Sequence, residues 1–449
     1  MKHLRNIILI IAMSILSDVS SFAQTTYTLS QCIDYALKNH RSIKMAANDV
    51  ETAYARKREG QSAYMPQVNA QLKWDDNLIL QSSVIPPITS STPLGDFTSP
   101  EQVVQFGNQY NTLAGIQLDQ MLFNWSYIQG IKAIKPGYDI AKTKKIKTEE
   151  DVVYNTIVAY YNVYLINENE DLLKQNEERL RKTLPILKLQ YDKGVIRKID
   201  VDKVQVNYNN ITVQQQILSS NKEVAINNLK YNIGMPVDSV IAIDTNYSKE
   251  IVDADNYVDT GNIKNKIEMQ LMRKNIYLQE ILLKRTKAAY YPQFSFYAKY
   301  GGLAFGNEFS QSFTRWTQFA TIGFKLDIPI FDGLRTSSSV KMAKLNIANL
   351  KEDMLLKEDG LKLQMLNAKT SMKNAEQSLI LNKENIALAK NVLDVTTLQY
   401  QKGIISYTDW MSADYSYKEA EQNYMTSLIK YLQSKIEADK SNNNLNIYK

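Results

Sequence analysis

The sequence predicts a mainly α-helical fold with a small β part, built twice along the chain. Three observations predict it. The chain carries an internal duplication, long stretches place apolar residues at heptad spacing, and four short segments switch to strict alternation. At 449 residues it is long enough for two or three domains. A 44% hydrophobic and 22% charged composition, with a mean hydropathy of −0.34, describes a chain that lies mostly in water. The 16 Gly and 10 Pro are too few for an ordinary loop-rich all-β fold. One Cys and two His exclude a zinc site, an iron–sulfur cluster, a His-dependent triad and a disulfide framework. No phosphate-binding Gly loop or nucleophile elbow is visible, so no catalytic, cofactor or metal residue is expected.

Taken in order, residues 1–23 read as a signal peptide. Lys2 and Arg5 precede an apolar stretch, Ile7 to Leu16, that is too short to span a bilayer. Ser21 and Ala23 flank Phe22 as the small residues for cleavage before Gln24, which implies export. Cys32 has two readings, a small apolar residue of the first helix or a lipid-anchor cysteine. The bulky Gln31 before it and its distance from the apolar stretch favour the first. Shorter helices are expected over Leu29 to Tyr64, Asp200 to Ile233, Asn262 to Tyr290 and Asp409 to Lys440. His40 falls in a polar helix end, solvated or capping.

The longest helix is expected from Phe331 to Gly403, about 100 Å at 1.5 Å per residue. Its seam reads Leu361, Met365, Ala368, Met372, Ala375 and Leu379, then Ile386, Ala389 and Leu393. The first-half counterpart carries Val152, Ala159, Val163, Ile166, Leu173, Leu180, Leu184 and Leu187. It also holds Pro136 and Pro185, two candidate kinks.

The duplication divides the chain into a first repeat over 24–234, an inter-repeat segment over 235–261, a second repeat over 262–440 and a tail over 441–449. Ala63-Tyr64-Met65-Pro66-Gln67-Val68 recurs as Ala289-Tyr290-Tyr291-Pro292-Gln293-Phe294. Gly115-Ile116-Gln117-Leu118-Asp119 recurs as Gly323-Phe324-Lys325-Leu326-Asp327. Leu189-Gln190-Tyr191-Asp192-Lys193-Gly194-Val195-Ile196 recurs as Leu398-Gln399-Tyr400-Gln401-Lys402-Gly403-Ile404-Ile405, and Asp200 then matches Asp409. The acidic segment 235–261 and the tail either wrap the helices as an equatorial band or are solvated.

The four alternating segments are Gln67 to Trp74, Ala114 to Asp119, Phe294 to Tyr300 and Ala320 to Ile328. They fit a one-sided sheet or an outer-membrane barrel wall. Export, the placement of Trp74, Trp125 and Trp316 near strand ends, and long polar loops over Asp75 to Asn111 and Gly301 to Gln318 favour the wall. Four strands cannot close a barrel, and an open sheet in lipid leaves its edges unsatisfied. The wall must therefore be shared by several chains. Three copies give twelve transmembrane strands, with Asn69, Gln71, Lys73, Asp119, Lys299, Lys325 and Asp327 facing an aqueous lumen.

At this point the chain resembles the TolC family of outer-membrane efflux proteins. The resemblance covers essentially all of the mature sequence. It rests on Leu29-Ser30-Gln31-Cys32-Ile33-Asp34-Tyr35-Ala36-Leu37-Lys38-Asn39, on the Tyr-Met-Pro-Gln and Tyr-Tyr-Pro-Gln strand entries, and on the two Tyr-x-Lys-Gly turns followed by Asp. The family implies a homotrimer in the outer membrane of a Gram-negative cell, with outer-membrane lipids around its barrel. Its duplicated long antiparallel helices form a coiled-coil barrel, a periplasmic tunnel. The family serves as the exit duct of tripartite efflux pumps or type I secretion systems. It works with a periplasmic membrane-fusion adaptor and an inner-membrane transporter of RND or ABC type, and is not an enzyme.

Carried over by resemblance, Gly194, Val195, Ile196, Gly403, Ile404 and Ile405 match the adaptor-docking tips; ordinary turns are the other reading. Asp409 matches part of an acidic constriction ring, while the N-cap of the returning helix is a compatible role, as it is for Asp200. Tyr400 and Asp200 match positions that link neighbouring helices in the closed tip. Ser412 stands where a second ring aspartate is expected, and Ile405 where a gating Arg occurs, so the closed-gate network departs from the family pattern. Asp414 is a further candidate for the aperture. The rival reading is a periplasmic coiled-coil adaptor or structural protein without a channel, for which a single hairpin and no duplicated strand pair would be expected. Nucleic acid is not an expected partner, because the net charge of +6 comes from basic residues interleaved with acids.

Overall fold

A computed structural model describes residues 26–87, 89–92, 95–98, 100–244 and 262–448. The expected signal peptide and residues 245–261 of the inter-repeat segment lie outside them. The chain divides into two compact units. One comprises Met1–Val50, Ala141–Met272 and Asp353–Lys449, and the other Glu51–Ile140 and Arg273–Glu352.

The first unit is helical. A two-residue strand β1 (Thr26–Tyr27) leads into α1 (Leu29–Asn39). Thr28 and Gln31 form a capping box, in which the Thr28 hydroxyl accepts from the Gln31 N–H and the Gln31 side chain accepts from the Thr28 N–H. The helix expected over Leu29 to Tyr64 is in fact two helices. His40 is extended and ends α1, and α2 (Arg41–Ser62) begins after it. The His40 ring caps this restart, Nδ1 accepting from Ser42 N–H at 3.2 Å. Cys32 is fully buried, and burial pushes its thiol up to about 12, consistent with a small apolar core residue.

The long helices follow the expected seams. The first is α3 (Trp125–Asp192), assigned without a break through Pro136 and Pro185. It is followed by α4 (Lys198–Ile233). Gly234 caps α4 at φ +72°, and a Cβ there would lie 2.8 Å from the His40 Cα, so only glycine fits against the α1–α2 break. A two-residue strand β8 (Ala242–Ile243) pairs in parallel with β1. The Tyr160 hydroxyl donates to the Asp244 carbonyl at 2.8 Å, so the described part of the inter-repeat segment is docked on the helices. The second repeat contributes α5 (Ile267–Lys287), α6 (Arg335–Gln401) and α7 (Tyr407–Ser441). Leu361, Ala368, Met372, Ala375 and Leu393 of the α6 seam are buried, as are Val152, Ala159, Val163, Leu180, Leu184 and Leu187 of α3. The tail is docked as well. Tyr448 is buried and its hydroxyl donates to Asp439 at 2.6 Å. No described helix is long and apolar enough to cross a membrane.

The second unit is built on one antiparallel sheet in the order β10-β9-β7-β2. Its strands are β2 (Gln67–Asp76), β7 (Tyr110–Asn124), β9 (Gln293–Gly306) and β10 (Trp316–Asp327). The central pair, β7 and β9, comes from different repeats, so the duplication meets at the middle of the sheet. The loop expected over Asp75 to Asn111 is more ordered than its composition suggests. It forms β3 (Gln81–Ile85) against β6 (Gln102–Phe106), and β4 (Thr89–Thr92) against β5 (Gly95–Thr98). Val84, paired with Val103, and the neighbouring Ile85 and Phe106 supply the β propensity that the many Ser, Thr and Pro residues obscured. The second expected loop is shorter than predicted, because β9 continues to Gly306 and a 3₁₀ turn spans Phe309–Phe313.

Glycines set the closest approach within the sheet. A Cβ on Gly301 would lie 2.5 Å from the Ala114 carbonyl oxygen and 2.8 Å from the Gly115 Cα. The Gly301→Ala variant is therefore expected to lower the thermal midpoint. Gly137→Ala, in α3 with no atom within 4 Å of the added carbon, should raise helix stability by about 0.5–1 kcal/mol. Parallel melts followed by circular dichroism check both.

Candidate functional site

The register of the sheet sorts its residues onto two chemically distinct faces. Cross-strand partners run Asn69↔Gln117↔Lys299↔Thr321 and Gln67↔Asp119↔Tyr297↔Gly323. Because side chains alternate with period two, Asn69, Gln71, Lys73, Asp119, Lys299, Lys325 and Asp327 all fall on this one face. Lys73 pairs with Asp75 at 2.8 Å, Lys325 with Asp327 at 3.0 Å, and Gln117 donates to Asp119 at 2.9 Å. The opposite face carries Val68, Leu72, Ile116, Tyr300, Ile322, Phe324 and Leu326, all exposed. Leu72 and Ile322 are about three-quarters exposed, at 77% and 75%. Aromatic rings mark both ends of this apolar face. Trp74 stacks on Tyr110 with Phe309 edge-on at one end, and Phe294 stacks on Phe324 at the other. Strands β2 and β10 are the two edges, each with one side unpaired.

The two helix reversals have the same backbone. In the first, Gly194 N–H donates to Tyr191 and Val195 N–H to Gln190. In the second, Gly403 N–H donates to Tyr400 and Ile404 N–H to Gln399. Both glycines are left-handed, at φ +69° and +72°, which completes a Schellman motif. Val195 and Ile404 stand exposed at 64% and 66%. Ile196 and Ile405, expected beside them at the tip, instead pack against the nearby apolar cluster of Leu187, Val204, Tyr400 and Trp410. The reversal turns the residue after each exposed apolar side chain back toward the core.

Neither Asp409 nor Asp200 is an N-cap. Ser406 caps α7, and Asp409 is the reciprocal member of its capping box, accepting from the Ser406 N–H at 3.3 Å and hydroxyl at 2.7 Å. Arg197 occupies the cap position of α4. Asp200 lies three residues later, buried, with Arg197 Nε at 3.4 Å. Asp409 and Ser412 are exposed, one turn apart on α7. Tyr400 is buried and stacks on Trp410 at 5.1 Å, with its pKa pushed up to about 12 by burial and then by the Asp200 carboxylate. The Tyr400 hydroxyl and Asp200 Oδ1 are both without a hydrogen-bond partner, so the structure brings the pair together without joining them.

Asp414 does not face an aperture. It is fully buried, with Arg179 at 2.7 Å and Lys418 at 2.9 Å. Two helical turns further, Glu421 accepts from Asn176 at 2.7 Å, and burial raises its carboxyl above the ordinary range. The sequence reading missed both Trp410 and this buried charge cluster. A fully buried Trp in the first turns of α7, beside Thr397 Oγ1 at 3.0 Å, has no counterpart in the first repeat, where Val201 occupies the matching position. Arg179 sits beside the expected α3 seam residue Leu180, where its polarity was the available signal.

Comparison with known proteins follows from this geometry. A family model described as outer membrane efflux protein matches residues 32–234 and 265–439. Outer membrane protein TolC of Escherichia coli is 20% identical over 431 residues, covering 93% of this chain and 82% of that protein. The solved structure of CusC aligns with a TM-score of 0.72 at 14% identity, covering 93% and 92% of the two chains. The Campylobacter jejuni CmeC outer membrane channel aligns at 0.71 and 17% identity, covering 93% and 85%.

The buried charges make two predictions. Asp414→Ala leaves Arg179 unpaired and should cost about 3–5 kcal/mol in denaturant unfolding, whereas replacing both by apolar residues of similar volume should cost far less. Glu421 binds its proton more tightly folded than unfolded, so its contribution to stability falls as pH rises from its unfolded value through its folded one. Glu421→Gln should therefore raise the thermal midpoint at neutral pH, and the gain should vanish below about pH 4, where both states of the wild type are protonated.

Proposed function

The chain belongs to the outer membrane efflux protein family, and from that premise we propose that it works as a homotrimer whose three sheets close one twelve-stranded wall. The chain is an outer-membrane exit duct for efflux, with a large periplasmic helical portion. One observation carries the trimer: a sheet with one polar face, one exposed apolar face and two unpaired edges. Lipid cannot satisfy the backbone groups of β2 and β10. Pairing β2 of one copy with β10 of the next satisfies every edge once the ring closes. The polar face, with Asn69, Gln71, Lys73, Asp119, Lys299, Lys325 and Asp327, then lines the lumen. The crowding of Gly115 and Gly301 on that face supports its being the concave one.

The exposed turns Gly194-Val195 and Gly403-Ile404 supply the tips that meet a periplasmic membrane-fusion adaptor, with Ile196 and Ile405 bracing them from beneath. Apolar side chains held outward by a rigid Schellman turn favour a partner that covers them. An inner-membrane transporter, of RND or ABC type, supplies the energy, and the chain itself performs no chemical step. Asp409 contributes three carboxylates to the aperture, with Ser412 beside them, and Tyr400 and Asp200 hold the helices behind it. A ring of carboxylates attracts cations and repels anions at a constriction.

The wall is tested by fractionation and light scattering. The expected result is outer-membrane recovery and a trimer in detergent; a soluble periplasmic monomer would sink the reading. For the aperture, Asp409→Ala should reduce cation selectivity in planar bilayers. Unchanged selectivity and an unchanged pH dependence of conductance would leave Asp409 only its part in the capping box.

A further inference from the structure

We infer that the apolar face of the sheet carries a built groove for one acyl chain of a membrane lipid, directly below its loop-end aromatic cap. The inference rests on the proposed bilayer wall. The groove has a volume of about 650 Å³ and is lined by Ala70, Leu72, Ala114, Ile116, Gly302 and Trp316, among others. That is the size of a small-molecule site.

Its shape follows from the register. One cross-strand row reads Leu72↔Ala114↔Gly302↔Gln318, and the next reads Ala70↔Ile116↔Tyr300↔Ala320. Small residues at the centre of the first row lie between larger ones, so the face is indented across β7 and β9. Trp316 forms one wall and is held there. Its indole N–H donates to the Phe313 carbonyl at 2.9 Å, and its ring lies across Gly302, where a Cβ would come within 2.9 Å of it. Above the groove, the rings of Trp74, Tyr110 and Phe309 close over the sheet, leaving Thr112 and Ala304 at 1% and 0% exposure. A chain entering from the exposed face therefore meets a ceiling.

The occupant follows from the surroundings. The groove is continuous with the face turned toward lipid: its floor lies on the inner strands β7 and β9, and its walls are side chains of β2 and β10 that project from that face. Its lining is mostly apolar, with Gln318 at the β10 end and the Tyr300 hydroxyl as polar groups on this face, so hydrocarbon matches more of its surface than water does. Efflux cargo travels on the opposite, polar face. Left empty, the groove forfeits dispersion contacts that an ordered acyl chain would supply.

Native mass spectrometry of the detergent-solubilised trimer tests this, after delipidation and re-addition of palmitoyl-oleoyl phosphatidylethanolamine. Wild type should retain lipid, one chain site per protomer, at collision energies that strip loosely associated lipid. Ala114→Phe, which fills the groove, should lose the retained lipid. Ala298→Phe, on the same face but in the row Val68↔Leu118↔Ala298↔Ile322, should keep it. Ala70→Leu decides the matter if Ala114→Phe does not assemble. Wild type retaining no lipid, or a groove-filled trimer retaining as much as wild type, overturns the proposal. Recovery of the wild type as a soluble monomer would instead overturn the wall itself.

Discussion

The rest of the structure depends on the backbone hydrogen bonds along β2 and β10. A four-stranded sheet has two edges, and each edge strand leaves half of its N–H and C=O groups pointing away from its partner. In water those groups are tolerable. Against lipid each one costs several kcal/mol, so the sheet can enter a bilayer only when another strand meets each edge. The apolar face makes the same demand. Leu72, Ile322 and Phe324 are too exposed and too contiguous to remain in water. Both costs are removed together when copies of the sheet close in lipid, and neither is removed by a rearrangement within one chain.

The helical unit shows a milder form of the same incompleteness. Its helices carry two apolar rows where a packed surface helix needs one. On α6 the buried row runs through Leu361, Ala368, Met372, Ala375 and Leu393, while Leu381, Leu388 and Val395 repeat every seven residues on the exposed side. On α4 the buried row holds Val201, Val204, Ile211, Leu218 and Leu229. Val206 and Val213, then Val224 and Tyr231, repeat at the same interval outside. A heptad spacing on a solvent face is a seam without its partner. In a homotrimer the flanks of neighbouring helical units provide one, so the sheet and the helices call for the same assembly.

Much of this was legible because it is periodic. The α6 seam, the four strands and the shared face of Asn69, Asp119, Lys299 and Asp327 all follow from a period of 3.5 or 2 read along one stretch of chain. The two turns were legible because Gly194 and Gly403 meet a steric need that few other residues meet. What escaped depends on contacts between distant segments. Nothing local to Asp414 announces Arg179, which lies 235 residues earlier. The cap of α4 was hidden for a different reason, because Arg197 takes that position without a side-chain cap hydrogen bond. The break at His40 was hidden because the helical pattern resumes at once. Ile196 and Ile405 fall within the matched tips by sequence, and only the depth of the turn separates them from Val195 and Ile404. The reversal is only two residues deep, and the third already rejoins the core.

The duplication preserves backbone more faithfully than chemistry. Both reversals use the same two hydrogen bonds and the same left-handed glycine. Yet Tyr191 is exposed where its counterpart Tyr400 is buried under Trp410, and Asp200 is buried where its counterpart Asp409 is free to face solvent. The buried tyrosine of one repeat therefore lies beside the buried aspartate of the other. In a closed ring of three copies, a partner that touches only the turns meets six sites of nearly one geometry. At the proposed aperture an ion would meet a chemistry that repeats only three times, because only the second repeat has its aspartate exposed. On the proposed function, the duplicated sequence would serve a docking partner through its shared turn backbone while its unshared side chains set the character of the opening.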